Sequence, residues 1–98
     1  EFMESLIDDF DGVRVLVANV VRKKNERIKG HLCSNDLIDL LNAMDKKPEI
    51  AVMNHMGLKM TNPVKECEYI YENTGVNVIP AKIGLKIELL DDSYVIYN

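Results

Sequence analysis

The sequence has little of what marks several common protein classes. Its 98 residues include no tryptophan, two cysteines, three prolines and five glycines, and aromatic residues make up 6%. Two cysteines are too few for the disulfide framework that stabilises small secreted domains. Cys33 and Cys67 are therefore expected to be reduced, partly buried thiols in a cytoplasmic protein.

A long apolar run is also lacking. The apolar stretches extend over only a few residues, whereas a membrane-spanning helix needs about 20. A secretory signal begins with a basic region that is followed by an apolar one. The N-terminus of this sequence is acidic, so no secretory signal is expected. Glu1 and Phe2 precede Met3 and are interpreted as a cloning remnant. We expect one domain over residues 1–98 and a cytoplasmic location, in the host cell if a phage encodes the protein.

Acidic and basic residues are unevenly distributed along the chain. The net charge is −4, from 16 acids and 12 bases. The first eleven residues carry five acids and no base, whereas positions 14–31 carry six bases and one acid, Glu26. The rest of the chain has ten acids and six bases. A basic segment therefore lies between two acidic regions, and either kind of surface is a candidate for binding.

The first half of the chain predicts a strand, a helix and a second strand. Residues 13–21, VRVLVANVV, are apolar on both alternating faces, which is typical of a central strand. Ser34 or Asn35 is expected to cap a helix, and Pro48 requires that it has ended by the preceding residue. The predicted helix carries one apolar stripe: Leu37, Ile38, Leu40, Leu41 and Met44.

The second half predicts a meander of short strands. Residues 64–73, VKECEYIYEN, alternate between apolar or aromatic and acidic positions and are interpreted as a half-exposed strand. Residues 73–75 are expected to form a hairpin turn, and further strands are expected at 76–80, 85–90 and 94–98. The predicted fold class is α+β, with one main helix at about 35–46 on a mostly antiparallel sheet of five to six strands.

The pattern DLIDLLNAMDKKPEIAVMN at 36–54, followed by VKECEYIYENTGVNVIP at 64–80, resembles a family of small phage and prophage proteins. In that family an amphipathic helix is similarly followed by a proline-containing break, a strand and a hairpin. The resemblance covers residues 36–80, while the residues before His31 depart from the pattern. It implies a non-enzymatic accessory protein of host takeover, because several small proteins of this kind bind and disable host machinery.

No catalytic or metal-binding pattern emerges from the sequence. His31 and Cys33 form a single H-x-C, and His55 and Cys67 follow without the paired spacing of a zinc site. The acidic residues at 8–12 lack the alternating spacing and distal glutamate of a calcium loop. We therefore expect no enzymatic activity, no metal and no cofactor.

The aromatic residues leave three interpretations open. Tyr69 and Tyr71 would share one face of the predicted strand, and Tyr94 and Tyr97 lie near the C-terminus. Such a pair serves as a stacking platform for bases, as a protein contact, or as a cover for the core edge with its hydroxyl groups in water.

The first functional hypothesis is an interaction protein that binds and inhibits or redirects a host protein through an acidic surface. Carboxylates in a row imitate backbone phosphates, so the most specific form is a DNA mimic that blocks a basic DNA-binding protein such as a nucleoid protein of the HU type. The same acids also serve solubility alone. The candidate acidic residues are Asp8, Asp9, Asp11, Glu66, Glu68, Glu72, Glu88, Asp91 and Asp92.

The second hypothesis is nucleic-acid binding through the basic segment, which neutralises phosphates without sequence preference. The negative net charge disfavours it. The same segment would also serve a homodimer in which the base of one copy meets the acid of the other, and a small virion or assembly component is a third possibility. The candidate contacts are Arg22, Lys23, Lys24, Arg27 and Lys29, with His31 as an additional one.

Overall fold

A computed structural model describes residues 7–22, 32–54 and 60–97. A helical turn at 7–10 precedes the first strand. The two helices are α1 (Ser34–Ala43) and α2 (Pro63–Thr74). The strands are β1 (Val15–Arg22), β2 (Leu32–Cys33), β3 (Ile50–Asn54), β4 (Asn77–Pro80), β5 (Lys86–Leu89) and β6 (Tyr94–Tyr97).

The four strands β1 to β4 form a parallel sheet in the order β2-β1-β3-β4. Val17 lies opposite Val52, and Val52 lies opposite Ile79. Helix α1 connects β2 to β3 across β1, and α2 connects β3 to its neighbour β4. Strands β5 and β6 form a separate antiparallel hairpin. The α+β class is confirmed, but the prediction of one mostly antiparallel sheet is wrong.

The error arises at α2, which was predicted as a strand. Asn62 caps this helix with its side-chain oxygen accepting from the Lys65 N–H, and Pro63 occupies its first turn. Gly75 ends it in the left-handed conformation at φ 78°, which glycine adopts without steric cost. These end signals prevail over the strand preference of the tyrosines, and a helix between two strands makes a parallel pair.

The helix places its residues differently from the predicted strand. Cys67 and Ile70, three residues apart, are buried against the core. Tyr69 donates a hydrogen bond to the Asn35 Oδ1 at 2.8 Å, whereas Tyr71 lies exposed on another side of the helix. The shared tyrosine face is therefore wrong, and so is the outward position of Glu66, which is buried.

Helix α1 confirms the predicted apolar stripe but has different ends. It begins at Ser34 and ends at Ala43, three residues short of the expected end. The N-cap is Cys33 rather than Ser34 or Asn35, and the Asp36 carboxylate accepts from the Cys33 backbone N–H at 3.1 Å. This carboxylate also lies in the first turn, where the helix dipole favours negative charge.

One face of the sheet packs on both helices and forms the main core. The residues buried there include Leu16, Ala18 and Val20 of β1 and Ala51 and Met53 of β3. Their burial removes apolar surface from water, which is the main source of folding free energy.

The opposite face of the sheet is covered unevenly. Ile50 and Val52 are buried, yet Val17 of β1 is 59% exposed. β1 is central in the sheet as predicted, but the prediction that both its faces are covered is wrong at Val17.

Polar contacts connect the β5–β6 hairpin to the sheet. Arg14, just before β1, forms an ion pair with Glu49 and donates to the backbone carbonyl oxygens of Leu90 and Ser93 in the hairpin turn. Asn77 at the start of β4 donates to the Tyr94 hydroxyl oxygen at 2.9 Å. The hairpin is thereby held at the amino ends of the strands. No helix within the described ranges is long and apolar enough to cross a membrane.

Candidate protein-binding groove

A groove of about 410 Å³ runs along β4. Strand β4 forms its floor, α2 forms one wall, and β6 of the hairpin forms the other. We call it the β4 groove. The described residues that line it are Ile50, Val64, Cys67, Glu68, Tyr71, Asn77, Val78, Ile79, Pro80, Tyr94 and Ile96.

The β4 groove includes both faces of the strand, because side chains of a strand alternate between faces. Val78 pairs with Ala51 and Pro80 with Met53, so these two β4 residues share the face that packs on the helices. Asn77 lies on the other face, where it bonds to the hairpin. The groove therefore continues around the edge of the sheet from one face to the other.

The hydrogen-bond pattern shows which β4 backbone groups face outward. The Ala81 N–H donates to the Met53 carbonyl oxygen at 2.9 Å, so Ala81 is turned toward β3. In a parallel strand, the N–H and C=O of one residue point to the same side, and those of the next residue point to the opposite side. Ile79 therefore also faces β3, while Val78 and Pro80 face outward. Proline has no N–H and suits such an edge position.

Several apolar side chains of the β4 groove are unusually exposed. Val64 is 58% exposed, Tyr71 is 51% exposed and Ile96 is 36% exposed. Single exposed apolar residues are ordinary on a protein surface. A cluster of them in one concave place is typical of a binding surface.

The rim of the β4 groove is acidic. Glu68 lines it, and the exposed Glu72 follows four residues later on the same side of α2. None of the described residues lining the groove is basic. The surface therefore favours a partner that brings both apolar and positively charged groups.

The other predicted acidic residues lie on separate elements. Asp8, Asp9 and Asp11 are exposed at or just after the first helical turn, and Asp11 accepts a hydrogen bond from the Lys46 N–H. The Glu88 carboxylate accepts from the Tyr97 hydroxyl on the hairpin, and this hydrogen bond raises the pKa of Tyr97.

Asp91 and Asp92 occupy the hairpin turn near Arg14. Of the predicted exposed acids, Glu68 lines the β4 groove, and Glu72 lies one helical turn further along α2.

Most of the predicted basic contacts lie outside the part of the chain that the structure describes. Lys23, Lys24, Arg27 and Lys29 lie outside the described residues, as do His31 and His55, and only the backbone of Arg22 is described. The ends of the segment are known, however. Val20 and Arg22 pair with Leu32 and Cys33, so the basic segment leaves and rejoins the sheet at the carboxyl end of β1.

Both cysteines are free and buried. Burial raises the pKa of the Cys33 thiol, and burial, with the nearby charges of Glu66 and Glu68, raises that of Cys67 to about 11. Both thiols are therefore protonated at neutral pH and are poor nucleophiles. Among the residues that the structure describes, no group of three histidine, cysteine or acidic side chains is arranged to hold a metal ion.

Most residues of the β4 groove were missed by the sequence analysis. Only Glu68 was named as a candidate, while Tyr71 was considered as a contact residue together with Tyr69. The signals that could have found the groove are Asn62-Pro63 and Gly75, which mark the ends of a helix, and Pro80, which marks an edge strand.

The sequence is 70% identical, over 94 residues and 96% of this chain, to a protein of Methanocaldococcus jannaschii whose name describes it as uncharacterized. The chain spans 35% of the length of that relative. No protein-family model matches the sequence, and no solved structure matches it. The relative is archaeal and its name states no activity, so the resemblance to phage proteins stays a prediction.

Proposed function

We propose that this chain is a non-enzymatic interaction protein that binds a partner protein through the β4 groove and thereby inhibits or redirects it. The observation that carries the proposal is the cluster of exposed apolar side chains, Val64, Tyr71 and Ile96, beside the acidic Glu68. Aromatic residues in a concave surface contribute most of the binding energy in many protein interfaces.

The acidic rim supports a basic partner. Glu68 and Glu72 would speed the encounter with a positively charged segment, and added salt would slow it. A basic DNA-binding protein, including a nucleoid protein of the HU type, is a partner of this kind. The remaining exposed candidate acids lie on separate elements, so a DNA-binding partner would be held by the groove and its rim rather than by one long row of carboxylates.

Capture of partners from cell lysate tests this function with matched variants. Val64→Asp and Tyr71→Ala alter the groove, and Val17→Asp alters an equally exposed valine on a different surface. We expect one basic protein to be retained by the unchanged chain and by Val17→Asp but lost with both groove variants. Retention by all variants would refute the groove as the binding surface. The captured protein should also be purified, and its affinity for the unchanged chain and for each variant should be measured by titration.

Nucleic-acid binding is the second candidate function. Its support is the attachment of both ends of the basic segment at the carboxyl end of β1, since ligands of open parallel sheets bind at that edge. The first turn of α1 at that edge is already occupied by the Asp36 carboxylate, which disfavours an anion there. A gel shift at low salt tests this candidate, and no shift at micromolar protein would remove it. A role in virion assembly stays an untested alternative.

A further inference from the structure

We propose that the β4 groove binds its partner by strand addition, in which an extended partner segment pairs with the edge of β4 that pairs with no described strand and places a basic side chain near Glu68. This inference rests on the proposed function and specifies how the groove is used. It follows from the backbone of β4, from the two walls and from the charge of the rim.

This edge of β4 offers hydrogen-bonding groups to an added strand. Val78 turns both its N–H and its C=O away from β3, and Pro80 turns its C=O the same way, as the bond from Ala81 to Met53 requires. An added strand would pair with one donor and two acceptors there. Because Pro80 lacks an N–H, the added pairing is short, and side-chain contacts must supply much of the affinity.

The walls of the β4 groove fit the alternating side chains of a strand. Successive side chains of an added strand would point toward α2 and toward the hairpin in turn. Those on the first side meet Val64 and Tyr71, and those on the second side meet Tyr94 and Ile96. Apolar side chains are therefore favoured on both sides, which distinguishes this site from the edge of a sheet that carries no walls.

The charge of the rim selects a basic residue in the added segment. Glu68 lines the groove on the α2 side, next to Tyr71, and no described lining residue is basic. A lysine or arginine that points toward α2 would place its aliphatic stem against Tyr71 and its charge near the carboxylate. An acidic residue at the same position would meet like charge.

The experiment uses the whole chain and a short synthetic peptide that alternates valine with threonine and carries one central lysine. A peptide with glutamate in place of the lysine is the matched control. Hydrogen exchange of the Val78 amide is measured by NMR with and without peptide. We expect the lysine peptide to slow this exchange markedly, because the outward N–H becomes a donor to the added strand.

Charge reversal in the protein provides the second measurement. Glu68→Lys is expected to weaken binding of the lysine peptide about tenfold, because an attraction becomes a repulsion. Asp39→Lys makes the same charge change on the exposed side of α1 and should leave the affinity nearly unchanged. Equal affinity of the lysine and glutamate peptides would refute the preference for a basic residue in the added segment.

Three further results would overturn strand addition. The first is binding that shifts the signals of Val64 and Tyr71 but leaves exchange at Val78 unchanged, which would leave the groove as a binding site of another kind. The second is protection of Val78 that appears without peptide and grows with protein concentration, since a second copy would then cover the edge.

The third is a lack of peptide binding at any concentration tested. The proposed function would still stand in each case if the captured partner is lost with Val64→Asp and retained with Val17→Asp.

Discussion

The two faces of the parallel sheet are covered in different ways. The helix-covered face packs on α1 and α2 through fully buried side chains such as Leu41 and Ile70. On the hairpin-covered face, the contacts of the hairpin include hydrogen bonds from Arg14 and Asn77, and the hairpin residue Leu89 stays 45% exposed. The helix-covered face therefore provides the stability, and the hairpin-covered face leaves room beside β4.

This difference explains where a binding surface is available. A close-packed core offers no space for a ligand, because side chains fill it at the density of an organic crystal. Ile50 lines the groove together with the hairpin residues Tyr94 and Ile96, and these side chains leave open space at the β4 edge. The β4 groove is thus located where the tightly packed half of the molecule meets the loosely packed half.

The largest expected difference between the two faces concerns deletion of apolar side chains. Leu41→Ala should lower the free energy of unfolding by about 2–5 kcal/mol, because it leaves a cavity in the core. Leu89→Ala should lower it by less than about 1 kcal/mol, because the side chain is half exposed in the native state. Chemical denaturation of both variants tests the comparison. Equal losses would show that the hairpin is packed as tightly as the helices.

The second largest effect on the free energy of unfolding is expected at Gly75, which caps α2 before β4. Gly75→Ala should cost roughly 1–2 kcal/mol, because an alanine at positive φ is strained. The space around the glycine is open, so the cost is confined to the backbone. Gly75→Asn should recover much of the loss, since asparagine tolerates this conformation better. Equal stability of the alanine variant and the unchanged chain would contradict the left-handed cap.

Alkaline pH should weaken the helix-covered face through Cys67. Burial raises the pKa of this thiol from 9.0 to about 11 in the folded chain. Its contribution to stability is complete below the unfolded value and is lost as pH rises through the folded value. The free energy of unfolding should therefore fall between about pH 9 and 11, and less steeply in Cys67→Ala. Burial raises the pKa of the Cys33 thiol as well, so Cys33→Ala should also make the slope less steep. An unchanged slope in Cys67→Ala would refute the assignment.

The smallest effect on global stability is expected from release of the hairpin. Arg14→Met removes the ion pair with Glu49 and the bonds to Leu90 and Ser93. Hydrogen exchange should then accelerate in β5 and β6 while the amides of α1 stay protected. Lys86→Met is the control, since Lys86 lies over the Tyr97 ring within the hairpin. Unchanged exchange in Arg14→Met would show that apolar contacts alone hold the hairpin.

The same ion pair makes a prediction for acidic pH. The hydrogen bond from Arg14 lowers the pKa of Glu49. The ion pair between the two side chains is therefore complete at neutral pH and is lost as pH falls through this lowered pKa. An NMR titration of the Glu49 carboxylate should give a lower pKa in the unchanged chain than in Arg14→Met. Identical values would contradict an ion pair in solution.

The local elements that carry strong sequence signals were predicted well. The stripe from Leu37 to Met44 and the break at Pro48 predicted α1, and the acidic turn at 91–93 predicted the β5–β6 hairpin. The tyrosines misled the prediction for α2, because a sequence of alternating character also supports a helix when its ends are capped. Because this helix was missed, a hairpin was predicted where α2 connects the parallel strands β3 and β4. The strands were therefore predicted to be antiparallel.

The sequence by itself determined the lengths of the apolar segments, the apolar stripe of α1 and the uneven distribution of charge along the chain. It also determined that histidines and cysteines lack the paired spacing of a zinc site. These are local properties, set by neighbours along the chain. Only the tertiary structure decided that Glu68 and Tyr71 line the same groove as Ile96, along the edge of β4 that pairs with no described strand. That arrangement depends on strand order and on the packing of distant segments, because residues far apart in the chain meet only when the sheet has formed.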